Sequence, residues 1–141
     1  MYKLLNNNKL MVLLVLSVLF ALFITMSANL KTDNQVTNIS AQQVGDLIES
    51  EAGLIIIDVR ELHEFQEGHI PGALLIPLGL LQQNITTIDA DRPIILVCRS
   101  GNRSMQAAQF FLKEGFTNIY NLSGGMKDWP YDITTDVIKC Y

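Results

Sequence analysis

Apolar positions divide this chain into two unlike regions. From Leu10 to Leu30 no charged residue occurs, and most of these 21 positions are Leu, Val, Phe, Ile or Met. A helix of that length spans roughly 30 Å, about one bilayer core. From Lys31 onward the pattern changes to short apolar runs separated by turn residues. Ser40, with Gln43 three residues later, forms a capping-box signature. Val44, Leu47 and Ile48 follow at helical spacing and predict a helix over Ala41 to Ser50. Leu54 to Ile57, Leu74 to Ile76, Ile94 to Val97 and Asn118 to Leu122 read as strands. Between them, helices are predicted over Glu61 to Gln66, Leu78 to Gln83 and from a Ser104 cap to Lys113 or Glu114, with Gly115 as a stop. A short helix ends near Trp129, and the tail from Tyr131 carries no assignment.

Strands that are apolar throughout and alternate with helices predict an α/β fold, a parallel sheet of about five strands with helices on both faces. Ligands in such sheets bind beyond the carboxyl ends of the strands. Three polar clusters sit at such ends: Asp58 to Arg60, Cys98 to Arg103, and Ser123 to Gly125.

The leader, residues 1–30, reads as a transmembrane anchor or a secretory signal peptide, the latter because Thr25 and Ser27 sit where a signal peptidase would look. A helix apolar on every face and buried in a core would need a larger protein around it. Lys3 and Lys9 favour a cytoplasmic N-terminus under both readings. The rest of the chain is then expected on the non-cytoplasmic side, in the periplasm or cell envelope if bacterial. Residues 31–38 read as a linker, 39–131 as the domain and 132–141 as a C-terminal tail.

From Lys31 onward there are eight Lys plus Arg against fourteen Asp plus Glu, a formal charge of −6. That excess argues against nucleic acid or anionic lipid as the domain's partner. The two cysteines, Cys98 and Cys140, are too few for a disulfide scaffold and lack zinc-ligand spacing.

Against an acidic background, the cluster Cys98-Arg99-Ser100-Gly101-Asn102-Arg103 stands out. A thiol reacts as its thiolate, which a helix N-terminus and nearby cations stabilise. Arg99 and Arg103 supply permanent charge. Gly101 and Asn102 tolerate left-handed backbone angles, so a short loop can turn successive N–H groups inward. The expectation is a reactive Cys98 at the base of an anion cradle formed by Arg99, Ser100, Gly101, Asn102 and Arg103. A cysteine that merely ends a strand is the plainer alternative, but two arginines, a glycine and a serine have no packing reason to gather beside it.

Cys98 to Ser104 resembles the active-site loop of rhodanese-type sulfurtransferases. Ile57 to Arg60 with Glu61, Glu64 and Phe65, then Gly68 to Ala73, and then Leu122 to Met126 with Trp129 are similar to the family's other motifs, in order. The resemblance covers about residues 39–131 and implies a rhodanese-like three-layer sandwich. It implies that Cys98 attacks the sulfane sulfur of an anionic donor such as thiosulfate, holds it as a persulfide and passes it to a thiol or cyanide. It implies no metal and no organic cofactor, and Arg99 and Arg103 as charge partners of the leaving anion. Asp58 and Arg60 are expected to hold the strand-end loop together, His69 to serve a turn, His63 to face solvent, and Trp129 to pack in the core. Cys140 is a bystander, a disulfide partner of another chain, or a resolver of the persulfide.

Two other functions share such a loop. Cysteine phosphatases and arsenate reductases place one more residue between cysteine and arginine than the four found here, which suits a larger tetrahedral anion. A carrier or sensor module would receive persulfide from a protein relay partner without turnover.

Overall fold

The structure is a computed structural model that describes residues 2–28, 35–51 and 53–136, with side chains described for residues 9–22 of the first stretch. The chain forms two compact units, residues 1–33 and 34–141. The first holds helix α1, Tyr2–Ala28. Its large apolar side chains from Leu10 to Leu22 are exposed. The stretch described with side chains is shorter than a bilayer core at about 1.5 Å per residue. Among the described residues, no helix is long and apolar enough to cross a membrane. The predicted span over residues 10–30 runs past this stretch, residues 31–34 of the predicted linker lie outside the described residues, and so does Cys140.

The second unit carries a five-stranded parallel sheet of β1 (Thr37–Ile39), β2 (Ile55–Asp58), β3 (Leu74–Leu75), β4 (Ile94–Val97) and β5 (Ile119–Leu122), in the order β1-β5-β4-β2-β3. The α/β expectation therefore holds. Successive strand residues point to opposite faces, and the core follows that rule. Ile55, Ile57, Val59, Ile94, Leu96 and Cys98 pack on one face with Leu81, Ala107, Ala108 and Phe111. These last belong to α4 (Leu81–Asn84) and α5 (Asn102–Lys113). Ile56, Ile95, Val97 and Leu122 pack on the other with Val44 of α2 (Ala41–Ser50) and Phe65 of α3 (Leu62–Gln66). Burying each such Ile, Leu or Phe stabilises the fold by about 1.5–3 kcal/mol. Because both faces are covered, the strands read as continuous apolar runs rather than alternating ones.

The capping box at Ser40 and Gln43 forms as expected, with Gln43 N–H donating to Ser40 Oγ at 3.3 Å and Ser40 N–H to Gln43 Oε1 at 2.9 Å. Two expectations need correcting, and a stretch without assignment gains structure. The linker does not run to Asn38, because Thr37–Ile39 is edge strand β1, aligned on Tyr120 to Leu122. Its polar sequence hides a strand that only β5 organises: the side-chain amide of Asn121 donates to Asn38 Oδ1 at 2.8 Å. The segment predicted as one helix over Leu78 to Gln83 is a 3-10 turn at Leu78–Leu80, then α4, then a second turn at Ile85–Thr87. The tail is not without structure up to Asp136. His69 and Thr134 exchange both backbone hydrogen bonds, at 3.0 and 2.9 Å, in an antiparallel bridge.

The sheet order positions the site. The connection after β2 leads outward to β3, whereas the connection after β4 leads the other way to β5. The loops following β2 and β4 therefore diverge from adjacent strand ends, the kind of crevice where open α/β sheets bind ligands.

Candidate active site

Cys98 follows the last residue of β4 and is 1 % exposed, with its side chain on the α5 face of the sheet. The loop then turns sharply through Gly101, whose φ of 89° is left-handed and whose C=O accepts the first helical bond of α5, from Met105 N–H at 3.1 Å. A side chain at Gly101 would run into the carbonyl of Ser123. The closing segment grips this loop from outside. Met126 N–H donates to Cys98 O at 2.8 Å, and Lys127 N–H to Arg99 O at 3.1 Å. Gly125, with φ of 60°, lies so close to Cys98 O and the Arg99–Ser100 peptide that a Cβ would overlap them. With two loop carbonyls engaged outside, neighbouring N–H groups are left to face inward.

What they face is the sulfur. Gly101 N–H donates to Cys98 Sγ at 3.1 Å and Ser104 Oγ–H donates to it at 3.3 Å. Burial, the largest influence, pushes the Cys98 pKa up. The Ser104 hydroxyl and the N–H groups of Ser104, Ser100 and Gly101 pull it down, and together they outweigh burial, so the thiol lies below its ordinary value. Ser104, predicted as the helix cap, is instead buried inside α5, and Gly101 holds the cap position. The reason is tertiary. The serine side chain looks back at the strand end, where a thiolate needs a donor.

The two arginines of the loop diverge in use. Arg103 forms a bidentate pair with Glu64 of α3, both N···O distances 2.7 Å. That hydrogen bonding, ahead of the cost of burial, holds the Glu64 carboxyl down at about 2 and raises Arg103. Arg103 still contributes charge felt at Cys98, but its hydrogen-bonding edge is committed to Glu64. Arg99 is exposed and, among the described residues, makes no ion pair or side-chain hydrogen bond. Ser100 and Asn102 are exposed as well.

Beside this loop, Asp58 and Arg60 form a buried pair, 0 % and 6 % exposed, with N···O 2.6 Å. Arg60 also donates from its backbone to Asp58 Oδ1 and from Nη2 to Gly68 O at 2.9 Å. The expected structural use of these residues is what the geometry shows. Breaking so buried a pair from one side costs about 3–5 kcal/mol. His69 is fully buried, stacked on Phe65 at 3.5 Å with Nδ1 2.9 Å from Phe65 O, and His63 is exposed. Among the described residues, Cys98 Sγ thus takes its hydrogen bonds from the Gly101 N–H and the Ser104 hydroxyl, and from no histidine. A recess of about 450 Å³ opens next to the loop, lined by Arg60, His63, Glu64, Glu67 and Arg99. Among the described residues no group of His, Cys, Asp and Glu could hold a metal ion.

Comparison with known proteins matches residues 40–131 to the rhodanese-like domain. The chain belongs to that family. It is 35 % identical over 96 residues to the putative sulfur carrier protein YrkF of Bacillus subtilis (strain 168), covering 68 % of this chain and 52 % of that protein. The chain therefore spans about half the length of that relative. It is 36 % identical over 86 residues to the thiosulfate sulfurtransferase GlpE of Stutzerimonas stutzeri (strain A1501), covering 61 % of this chain and 79 % of that one. The crystal structure of a rhodanese-related protein from Thermoplasma volcanium superposes with a TM-score of 0.62 at 28 % identity, over 71 % of this chain and 99 % of that one. The rhodanese-like sandwich expected from the motifs is the fold observed.

Two residues at the site take parts that residue order does not announce: Ser104, which the sequence offers as a cap, and Glu64, which it offers only within a motif. A serine one helical turn inside α5 and a carboxylate on α3 acquire their roles through contacts made in space, 39 residues apart for Glu64 and Arg103.

Proposed function

We propose that this rhodanese-like domain is a sulfurtransferase that works through a persulfide on Cys98. The observation that carries the reading is the pair of hydrogen bonds donated to Cys98 Sγ by Gly101 N–H and Ser104 Oγ–H. A thiolate so stabilised needs no histidine base. It attacks the outer sulfur of a donor such as thiosulfate. The new bond joins Cys98 Sγ to that sulfur, the donor's S–S bond breaks, and its electron pair leaves with sulfite. Arg99, whose side chain has no polar partner among the described residues, holds the anion in this reading, and the loop N–H groups accept developing negative charge. In the second half an acceptor thiolate or cyanide attacks the outer sulfur of the persulfide, and the electron pair of the breaking bond returns to Cys98. No residue here needs a metal or organic cofactor for these steps.

The test is mass spectrometry of the full-length protein after thiosulfate treatment, with sulfite and thiocyanate followed when cyanide is added. A gain of one sulfur on Cys98 with steady thiocyanate release is the expected result. Cys98→Ala should lose both, and activity surviving in that variant would refute the mechanism. The carrier reading has support in the name of the Bacillus relative and in the near-complete burial of Cys98. Loading without turnover, and discharge to a protein relay partner, would decide for it.

Exposed apolar side chains from Leu10 to Leu22 along α1 support a membrane association through residues 10–30, and Lys3 and Lys9 support placing the domain on the non-cytoplasmic side. The same mass measurement reports whether the leader is retained.

A further inference from the structure

The recess beside the loop holds an unusual balance of charge. Of its lining residues, Arg60 is committed to Asp58 and Gly68 O, and Glu64 to Arg103. His63, Arg99 and Glu67 remain, and of these Arg99 and Glu67 are the oppositely charged two. Among the described residues neither makes a side-chain hydrogen bond or ion pair, and both are exposed. They flank one hollow of about 450 Å³, and Arg99 directly follows the cysteine. A positive and a negative group that face the same hollow without pairing elsewhere offer complementary contacts to a small molecule carrying both charges. Each such contact is a charge-assisted hydrogen bond, the stronger kind.

We infer that this recess selects the sulfur acceptor, and that the acceptor is a zwitterionic low-molecular-weight thiol whose carboxylate meets Arg99 and whose ammonium meets Glu67. This rests on the sulfurtransferase reading above and deepens it. The two half-reactions then share one mouth. Arg99 holds the donor's anionic end while sulfur is loaded, and once sulfite has left it is free to hold the acceptor's carboxylate. The acceptor thiol gives its proton to solvent, and the thiolate attacks the outer persulfide sulfur. That sulfur leaves bonded to the acceptor, and Cys98 returns as a thiolate. Glu67 has no part in loading. It sits at the end of α3, as its C-cap residue, and its side chain makes no hydrogen bond or ion pair among the described residues. Its effect is confined to acceptors that bear an ammonium group.

The experiment uses the full-length protein with thiosulfate as donor and four acceptors: L-cysteine, cysteamine, 3-mercaptopropionate and cyanide. The ratio of kcat/KM between Glu67→Gln and the unaltered protein is read for each, so that the differing reactivities of the thiols cancel. The expected result is a fall of about tenfold for L-cysteine and cysteamine, carried by KM, with 3-mercaptopropionate and cyanide unchanged. Such a fall corresponds to about 1.4 kcal/mol. Glu67→Asp should recover part of the loss. An equal effect on all four acceptors, or none on any, overturns the inference while cyanide turnover leaves the sulfurtransferase reading standing. No transfer to any acceptor, cyanide included, overturns that reading and this inference with it.

Discussion

Ser104 Oγ lies 3.3 Å from Cys98 Sγ and donates a hydrogen bond to it from within helix α5. The serine is fully buried and forms part of the wall against which the sulfur rests. Ser104→Ala removes a donor that favours the thiolate over the thiol. The Cys98 pKa then rises, because burial, which pushes it up, is less opposed. The acidic limb of the pH–rate profile should move to higher pH. Below that limb, turnover should fall by about tenfold, the size of one hydrogen bond to a charged group. Well above it, where the thiolate forms in both proteins, the difference should shrink. A uniform loss at all pH values would contradict this role.

Glu64 and Arg103 join α3 to α5 across the mouth of the loop. The Glu64 carboxyl is held at about 2, against an ordinary value of 4.5, chiefly by its hydrogen bonds to Arg103. A depressed carboxylate contributes stability that is fully present above the unfolded value and is lost as pH falls towards the folded one. The contribution should therefore hold above about pH 4.5 and fade between there and about pH 2. Both side chains are partly exposed, so solvent screening limits it to about 1 kcal/mol. Urea unfolding of the unaltered protein and Glu64→Gln should differ by about that amount at pH 6 and converge near pH 2. A gap that stays constant across that range would assign the effect to packing instead.

Gly125 is the point at which the closing segment meets the Cys98 loop. Its φ of 60° disfavours any side chain, and a Cβ there would overlap Cys98 O and the following peptide. Gly125→Ala should destabilise the domain by about 2–4 kcal/mol, above the usual range for a surface change. It should also reduce turnover more than tenfold under conditions where the variant is still folded, because the loop must move to make room and the sulfur loses its donors. Thermal unfolding and initial rates at low temperature separate the two effects. Folded protein with unchanged turnover would show that the grip is not needed for catalysis.

Much of the molecule is legible in the sequence. Ile94 to Val97 is a strand with the bounds its apolar run suggests, and Ala41–Ser50 is a helix with its capping box intact. These depend on nearest neighbours along the chain, and local patterning records such dependence. The strand β1 was missed for the opposite reason. Thr37 and Asn38 are polar, and their strand character comes from pairing with Tyr120 and Asn121, more than eighty positions away. The bridge of Thr134 to His69 was missed likewise, since an isolated backbone pair leaves no trace in residue type.

The sequence by itself determined that Cys98 would stand at the end of a buried strand, ahead of a helix, in a loop with two arginines and a glycine. Chain neighbours impose that arrangement through covalent proximity and φ/ψ preference. Only the tertiary structure decided how those parts are used. It turned Ser104 inward onto the sulfur, committed Arg103 to Glu64, and left Arg99 and Glu67 facing one recess. Each of these outcomes depends on which partner lies within about 3 Å in space, and that follows from the packing of α3 and α5 around the sheet rather than from the order of residues in the loop.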